Sequence, residues 1–220
     1  MNLRKSLLIS TLALTALIAP LNALIVGVNA ADGTLGSNFT VGNDVNAAGG
    51  TYIVSTVNLP GTAPTTADSV ATYGLTFADA GSYDLWVRYL MEVDNTNNDS
   101  FFSATAFGSG NDVNSDAAWT SNNTLPYNSG VYTWVNLSVD TGRLSSEVAP
   151  TFTGTNGAAL FELGARETQI RINGFAFVTS GETPTESALN QSIVPEPGTY
   201  ALLLGGLALV ATVLNRRFRK

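Results

Sequence analysis

Between residues 36 and 180 apolar and polar positions alternate in short runs, and Asn, Asp, Gly and Ser fill the intervals. A period of two sends successive side chains to opposite faces of an extended chain, so each run predicts a β-strand with one inward face. Gly49-Gly50-Thr51-Tyr52-Ile53-Val54 opens one such strand. Val70-Ala71-Thr72-Tyr73-Gly74-Leu75-Thr76-Phe77 alternates, Asp79-Ala80-Gly81-Ser82 turns the chain, and Tyr83-Asp84-Leu85-Trp86-Val87-Arg88-Tyr89-Leu90 returns. In the return strand Tyr83, Leu85, Val87 and Tyr89 share a face, opposite Asp84, Trp86, Arg88 and Leu90. Further strands are predicted at 100–106, 131–139, 158–163 and 170–179. No long helical period and no internal repeat interrupts this pattern. It predicts an all-β fold, a single antiparallel β-sandwich of jelly-roll type over residues 31–180.

Uninterrupted apolar runs frame the alternating region. The first, 7–18, follows basic Arg4 and Lys5 and leads to Val28-Asn29-Ala30 before Ala31-Asp32. A basic start, an apolar stretch and small residues before a cut are the parts of a secretory signal peptide, here 1–30. Cuts after Ala23 or Ala31, and an uncleaved anchor helix, are the alternatives. The second run, 200–214, follows Val194-Pro195-Glu196-Pro197-Gly198-Thr199 and precedes Asn215-Arg216-Arg217-Phe218-Arg219-Lys220. As a helix it covers about 22 Å at the usual rise, short of a hydrocarbon core of about 30 Å, and Gly198, Thr199 and snorkelling arginines extend it. The prolines bar the helix from continuing upstream and leave their own stretch extended. Residues 181–193 read as a linker. With basic residues on the outer side of both helices, both termini stand in the cytoplasm during export and the middle stands outside.

Composition narrows the chemistry. Only 12% of the 220 residues are charged, and six of the ten basic ones lie in the terminal segments. The exported part keeps Arg88, Arg143, Arg166 and Arg171 against sixteen acidic residues, a formal charge of about −12. Nucleic acid is excluded as a partner, because phosphates require a basic footprint. The chain has no Cys and no His, which removes disulfides, thiol nucleophiles, His- or thiolate-bound metals and the Ser-His-Asp triad. Any metal site must be built from oxygens, which favours calcium.

The C-terminal combination of Pro195-Glu196-Pro197, apolar helix and basic end resembles the PEP-CTERM sorting signal of Gram-negative and related bacteria, over 194–220. The resemblance implies recognition by an exosortase, a membrane-embedded transpeptidase-like enzyme that cuts near the motif and discards the helix. It also implies export by the Sec machinery with signal peptidase at the front, transient residence in the inner membrane through the C-terminal helix, then the cell surface or extracellular matrix. The family is typical of bacteria that make exopolysaccharide. The plain alternative is a tail anchor.

The order of strand segments resembles galactose-binding-like jelly rolls of carbohydrate-binding modules, of the family 6 and 35 type. The matching residues are Gly49-Gly50-Thr51-Tyr52, Ala80-Gly81-Ser82-Tyr83-Asp84-Leu85-Trp86-Val87-Arg88-Tyr89, Asp99-Ser100-Phe101-Phe102, Tyr132-Thr133-Trp134 and Arg166-Glu167-Thr168-Gln169-Ile170-Arg171-Ile172-Asn173-Gly174-Phe175. Such modules often carry a calcium-binding glutamate near the first strand, whereas 35–45 offers only Asp44.

Sugar binding calls for an aromatic face against the apolar face of a pyranose, with amides or carboxylates reading the hydroxyls. The loop 108–130 supplies both, in Trp119 and Tyr127 with Asn111, Asp116, Asn122, Asn123 and Asn128. Asn173 joins this candidate site, since modules of the resembled type often use an Asn near their C-terminal end. The alternative makes Trp119 a loop anchor. Trp86 and Trp134, within strands, read as core. Asp94, Asn95, Asn97 and Asp99 place oxygens at near-alternating positions as a calcium loop does, although a hairpin loop rich in turn-forming residues explains them equally. Catalysis by paired carboxylates would draw on Glu147, Glu162 and Glu167, with no pair singled out. The expectation is an exported, non-enzymatic surface or matrix protein that associates with polysaccharide. Its competitors are a purely structural, self-associating protein and a glycan hydrolase.

Overall fold

The computed structural model describes residues 24–93, 99–123, 125–139, 150 and 152–194. In chain order the strands are β1 (Ile25–Asn29), β2 (Thr34–Leu35), β3 (Phe39–Asn43), β4 (Thr51–Ser55), β5 (Val70–Phe77) and β6 (Gly81–Met91). They continue with β7 (Phe101–Ala104), β8 (Trp119–Asn122), β9 (Thr133–Asn136), β10 (Phe152–Gly154), β11 (Gly157–Gly164) and β12 (Ile170–Thr179), and a helix α1 (Glu186–Ser192) closes the series. Two antiparallel sheets result. One runs β10-β6-β12-β4-β3, with β1 also on β12 and β9 also on β6; the other runs β2-β5-β11-β7-β8. The expected all-β antiparallel sandwich is what the chain forms.

The period of two fills the space between the sheets. From β6 come Tyr83, Leu85, Val87, Tyr89 and Met91, and from β5 and β11 come Tyr73, Leu75, Phe77, Phe161 and Leu163. Aromatic rings dominate the centre: Phe177 stands edge-on to Phe152 at 5.1 Å and to Phe161 at 5.1 Å between centroids. Such contacts add about 0.5–1.5 kcal/mol beyond the area they bury, which suits a domain without disulfides.

Strand β12 departs from simple alternation. Ile170 and Ile172 face the core, and so do Phe175 and Phe177, although the parity differs. The change occurs at Asn173, where the register with β6 shifts between Ile172 and Gly174. A bulge inserts one extra residue and re-aims the chain, so Asn173 points out of the core and both halves of the strand keep apolar residues inside.

Two boundaries differ from expectation. Residues 25–29, assigned above to the signal peptide, form β1 and pair with β12 from Ile25↔Val178 to Asn29↔Gly174. Residues 181–193, read as a linker, carry α1, whose Leu189 and following Ile193 are buried. In sequence a short apolar strand after an apolar run looks like its continuation, and a seven-residue helix is too short to show a period. Strands β2, β3, β8 and β10 also escaped the reading, and Ala48–Gly50 is a 3-10 turn before β4 rather than the opening of the strand. Among the described residues no helix is long and apolar enough to cross a membrane. The helices expected in the signal peptide and at 200–214 lie outside the described residues.

Candidate functional site

On the outer face of the first sheet, β6 presents Trp86 and Arg88, and β9 lies along it with Trp134 opposite Arg88 and Asn136 opposite Trp86. Outward residues on neighbouring strands are within side-chain reach of one another, directly or diagonally, so both tryptophans stand on one patch. Helix α1 covers the adjoining part, where Leu189 packs with Ala176 and Val178 of β12 and with both tryptophans. Thr185 caps the helix by accepting a hydrogen bond from Ala188 N at 3.2 Å. Asn190 Oδ1 accepts one from Trp134 Nε1 at 2.9 Å, which fixes the indole against the helix.

Between α1 and β9 remains a cleft of about 360 Å³, lined by Trp86, Tyr132, Thr133, Trp134, Glu186 and Leu189. Its size falls at the small end of ligand pockets, about 300–1,000 Å³. Both tryptophans are half-buried and Glu186 is exposed, so ring surface and a carboxylate reach the solvent together. Trp86 Nε1 is buried and has no acceptor among the described residues.

A polar network holds the floor. Arg88 donates from Nη1 to Asn173 Oδ1 at 2.6 Å, and its guanidinium lies 4.9 Å from the centre of the Tyr132 ring. Asn173 Oδ1 also accepts from Ala48 N at 3.0 Å, while its Nδ2 donates to Ala48 O at 2.9 Å and Thr51 O at 2.7 Å. Burial holds the Arg88 guanidinium below its ordinary pKa, and electrostatic interaction with Glu186 first and then with Tyr132 acts in the opposite direction. The Tyr132 hydroxyl is pushed up, by burial first and then by Asp44, against the pull of Arg171. Asp44, the acidic residue noted near the first strands, pairs with Arg171 Nη1 at 3.3 Å.

The residues expected to form a sugar site do not gather into one. Trp119 lies on β8, is 3% exposed and packs with Ala63, Phe102 and Ala104; its Nε1 donates to Asp112 O at 3.1 Å. It offers no free ring face and is the anchor of its loop. Asn122 is buried and donates to Ser103 Oγ at 2.9 Å. Asn123 accepts from Arg166 Nη1 at 3.3 Å, and the half-exposed Tyr127 reaches Glu92 O at 3.5 Å. Asn128 is a latch, accepting from Met91 N and donating to Tyr89 O, both at 2.9 Å. Asp116 accepts from Thr62. Asn173, fully buried, belongs to the floor under the α1 cleft instead.

The carboxylates proposed for hydrolysis are engaged as well. Glu162 accepts from Gly110 N at 2.7 Å and from Asn111 Nδ2 at 2.7 Å, pinning the loop to the second sheet. Glu167 accepts from Asp99 N at 2.8 Å and pairs with Arg166 at 3.0 Å. Glu147 lies outside the described residues, as do Asp94, Asn95 and Asn97 of the calcium candidate; Asp99 is buried. Among the described residues no group of three or more acidic side chains is placed to hold a metal.

The tryptophans of the cleft were assigned to the core, yet their signal was present. Alternation in β6 already set Trp86 on the face of Asp84 and Arg88. A tryptophan on a polar face is surface unless another element covers it, and α1 covers this one only in part.

Residues 194–220 match the PEP-CTERM protein-sorting motif. The chain therefore ends in the sorting signal of an exported protein, as Pro195, Glu196 and Pro197 indicated. No curated protein matches the chain in sequence. Among solved structures it is similar to the Podospora anserina GH26-CBM35 beta-(1,4)-mannanase, at 16% identity and TM-score 0.47, over 73% of this chain and 28% of that one. It is similar to the C-terminal CBM6 of a marine laminarinase from Zobellia galactanivorans, at 16% identity and TM-score 0.47, over 71% of this chain and all of that one. A family 35 carbohydrate binding module from Clostridium thermocellum is similar at 14% identity and TM-score 0.43, over 70% of this chain and 98% of that one. These modules are of the two types that the strand segments resemble.

Proposed function

We propose that the protein is exported, processed by an exosortase at its C-terminal motif, and associates with extracellular polysaccharide through the cleft between α1 and β9. The observation that carries this reading is the grouping of the half-buried Trp86 and Trp134 beside the exposed carboxylate of Glu186 in one open cleft. The two indole rings supply apolar faces for a sugar, and the carboxylate accepts from its hydroxyls. Binding is favoured over hydrolysis in this reading because Glu162 and Glu167 accept from backbone N–H groups that hold loops.

Retention of the exported protein on the producer's own exopolysaccharide tests the reading. Trp134→Ala and Glu186→Gln should each weaken retention about tenfold, the equivalent of about 1.4 kcal/mol. Wild-type protein that is not retained, or both variants retained as well as wild type, would refute it. Concentration-dependent assembly without glycan, read by sedimentation, would favour the self-associating alternative. Mass spectrometry of the exported protein should find the C-terminus near Pro195-Glu196-Pro197, with the basic end removed.

A further inference from the structure

We infer that the chain is cut between Ala23 and Leu24, so that the mature protein begins with β1. This rests on the reading of the N-terminus as a cleaved signal peptide and moves its cut seven residues upstream of the most signal-like bond, the one after Ala30.

The reason lies in what residues 24–30 do. Five consecutive residues of β1 pair with β12, from Ile25↔Val178 to Asn29↔Gly174, and Leu24 O accepts from Thr179 N at 3.3 Å. A cut after Ala30 or Ala31 would strip this edge from β12 and leave its backbone groups unpaired under α1. The strand is also a packing surface for the helix. Gly27 lies so close to Ser192 that an added Cβ would sit 2.2 Å from Ser192 Oγ, a distance only glycine permits.

The end of the segment is bound equally tightly. Asn29 accepts from Ala31 N at 2.9 Å and Thr51 Oγ1 at 3.2 Å and donates to Ala48 O at 3.2 Å. Ala30 is fully buried, and its carbonyl accepts from the buried Tyr73 hydroxyl at 3.0 Å. Loss of 24–30 would therefore strand a phenol in the core and open the turn that carries Ala48. A cut before Leu24 disturbs none of these contacts. Ala23 supplies the small residue before the bond, and Pro20, three residues earlier, is a residue type that bars a helix from continuing.

Full-length protein expressed in a Sec-competent host and recovered from outside the cytoplasm gives the test, by N-terminal sequencing and intact mass. Leu24 is the expected first residue. A mature protein beginning at Ala31 or Asp32 would overturn the position of the cut while sparing the signal reading. Recovery only with Met1 intact would overturn both. Ala23→Arg removes the small residue before the bond and should leave the precursor uncut; unchanged processing of that variant would overturn the proposal.

Discussion

Asn173 and Arg88 show how a single residue can hold several elements. The bulge frees Asn173 from the ladder, and its amide then meets Arg88 and the turn at Ala48 and Thr51 with all its polar atoms engaged. Asn173→Ala would take from the buried Arg88 guanidinium its shortest hydrogen bond and from Ala48 N and Thr51 O their side-chain partner, a loss of about 3 kcal/mol in urea unfolding. Trp119→Ala should cost about 3–5 kcal/mol and leave glycan retention per folded molecule unchanged, because the ring fills the second sheet's outer cluster rather than a binding face. Tyr73 adds a pH dependence. Burial, reinforced by the charge of Asp32, pushes its hydroxyl well above the ordinary phenol range. The unfolded chain loses this proton near pH 10 while the folded chain keeps it, so the contribution is intact below about pH 10 and is lost above it. Stability should then fall by about 1.4 kcal/mol per pH unit from this group, a slope that Tyr73→Phe removes in urea titrations at pH 9 to 12.

At the scale of elements, β1 and α1 behave as one unit laid over β12. The helix is seven residues long and would not persist alone in water. Its stability comes from Leu189 and Ile193 against β12 and from the Asn190 bond to Trp134. Leu189→Ala should lower stability by about 2–5 kcal/mol and also weaken glycan retention, since the same side chain lines the cleft. The two effects separate if the variant is assayed cold, where it remains folded. Deletion of α1 would uncover both tryptophans together with Ala176 and Val178, and an apolar patch of that kind drives association. The folded part therefore runs to the buried Ile193, next to the residues 194–220 that match the sorting motif.

Across the whole molecule, positive charge is concentrated at the ends and the domain between them is acidic. Sixteen carboxylates against four arginines repel polyanions at low salt. Retention on a neutral glycan should thus vary little with ionic strength, whereas retention on an anionic one should rise as salt shortens the Debye length to about 10 Å at 0.1 M. A binding curve in increasing NaCl on both kinds of polymer checks this.

The sequence by itself determined the sandwich, the inward face of β6 and the sorting tail. Each of these is local: alternation sets a strand's face, and the tail is read as a linear motif. Only the tertiary structure decided the ends of the domain and the place of the site. Whether 25–29 is signal or strand depends on β12, which lies almost 150 residues along the chain, and whether Trp86 is core or cleft depends on how far α1 extends over it. In sequence Trp119 belongs to a polar loop and Trp86 stands between Leu85 and Val87 in an alternating strand. Contact with distant side chains made the first an anchor and left the second beside an open cleft, because burial is a property of what folds over a residue.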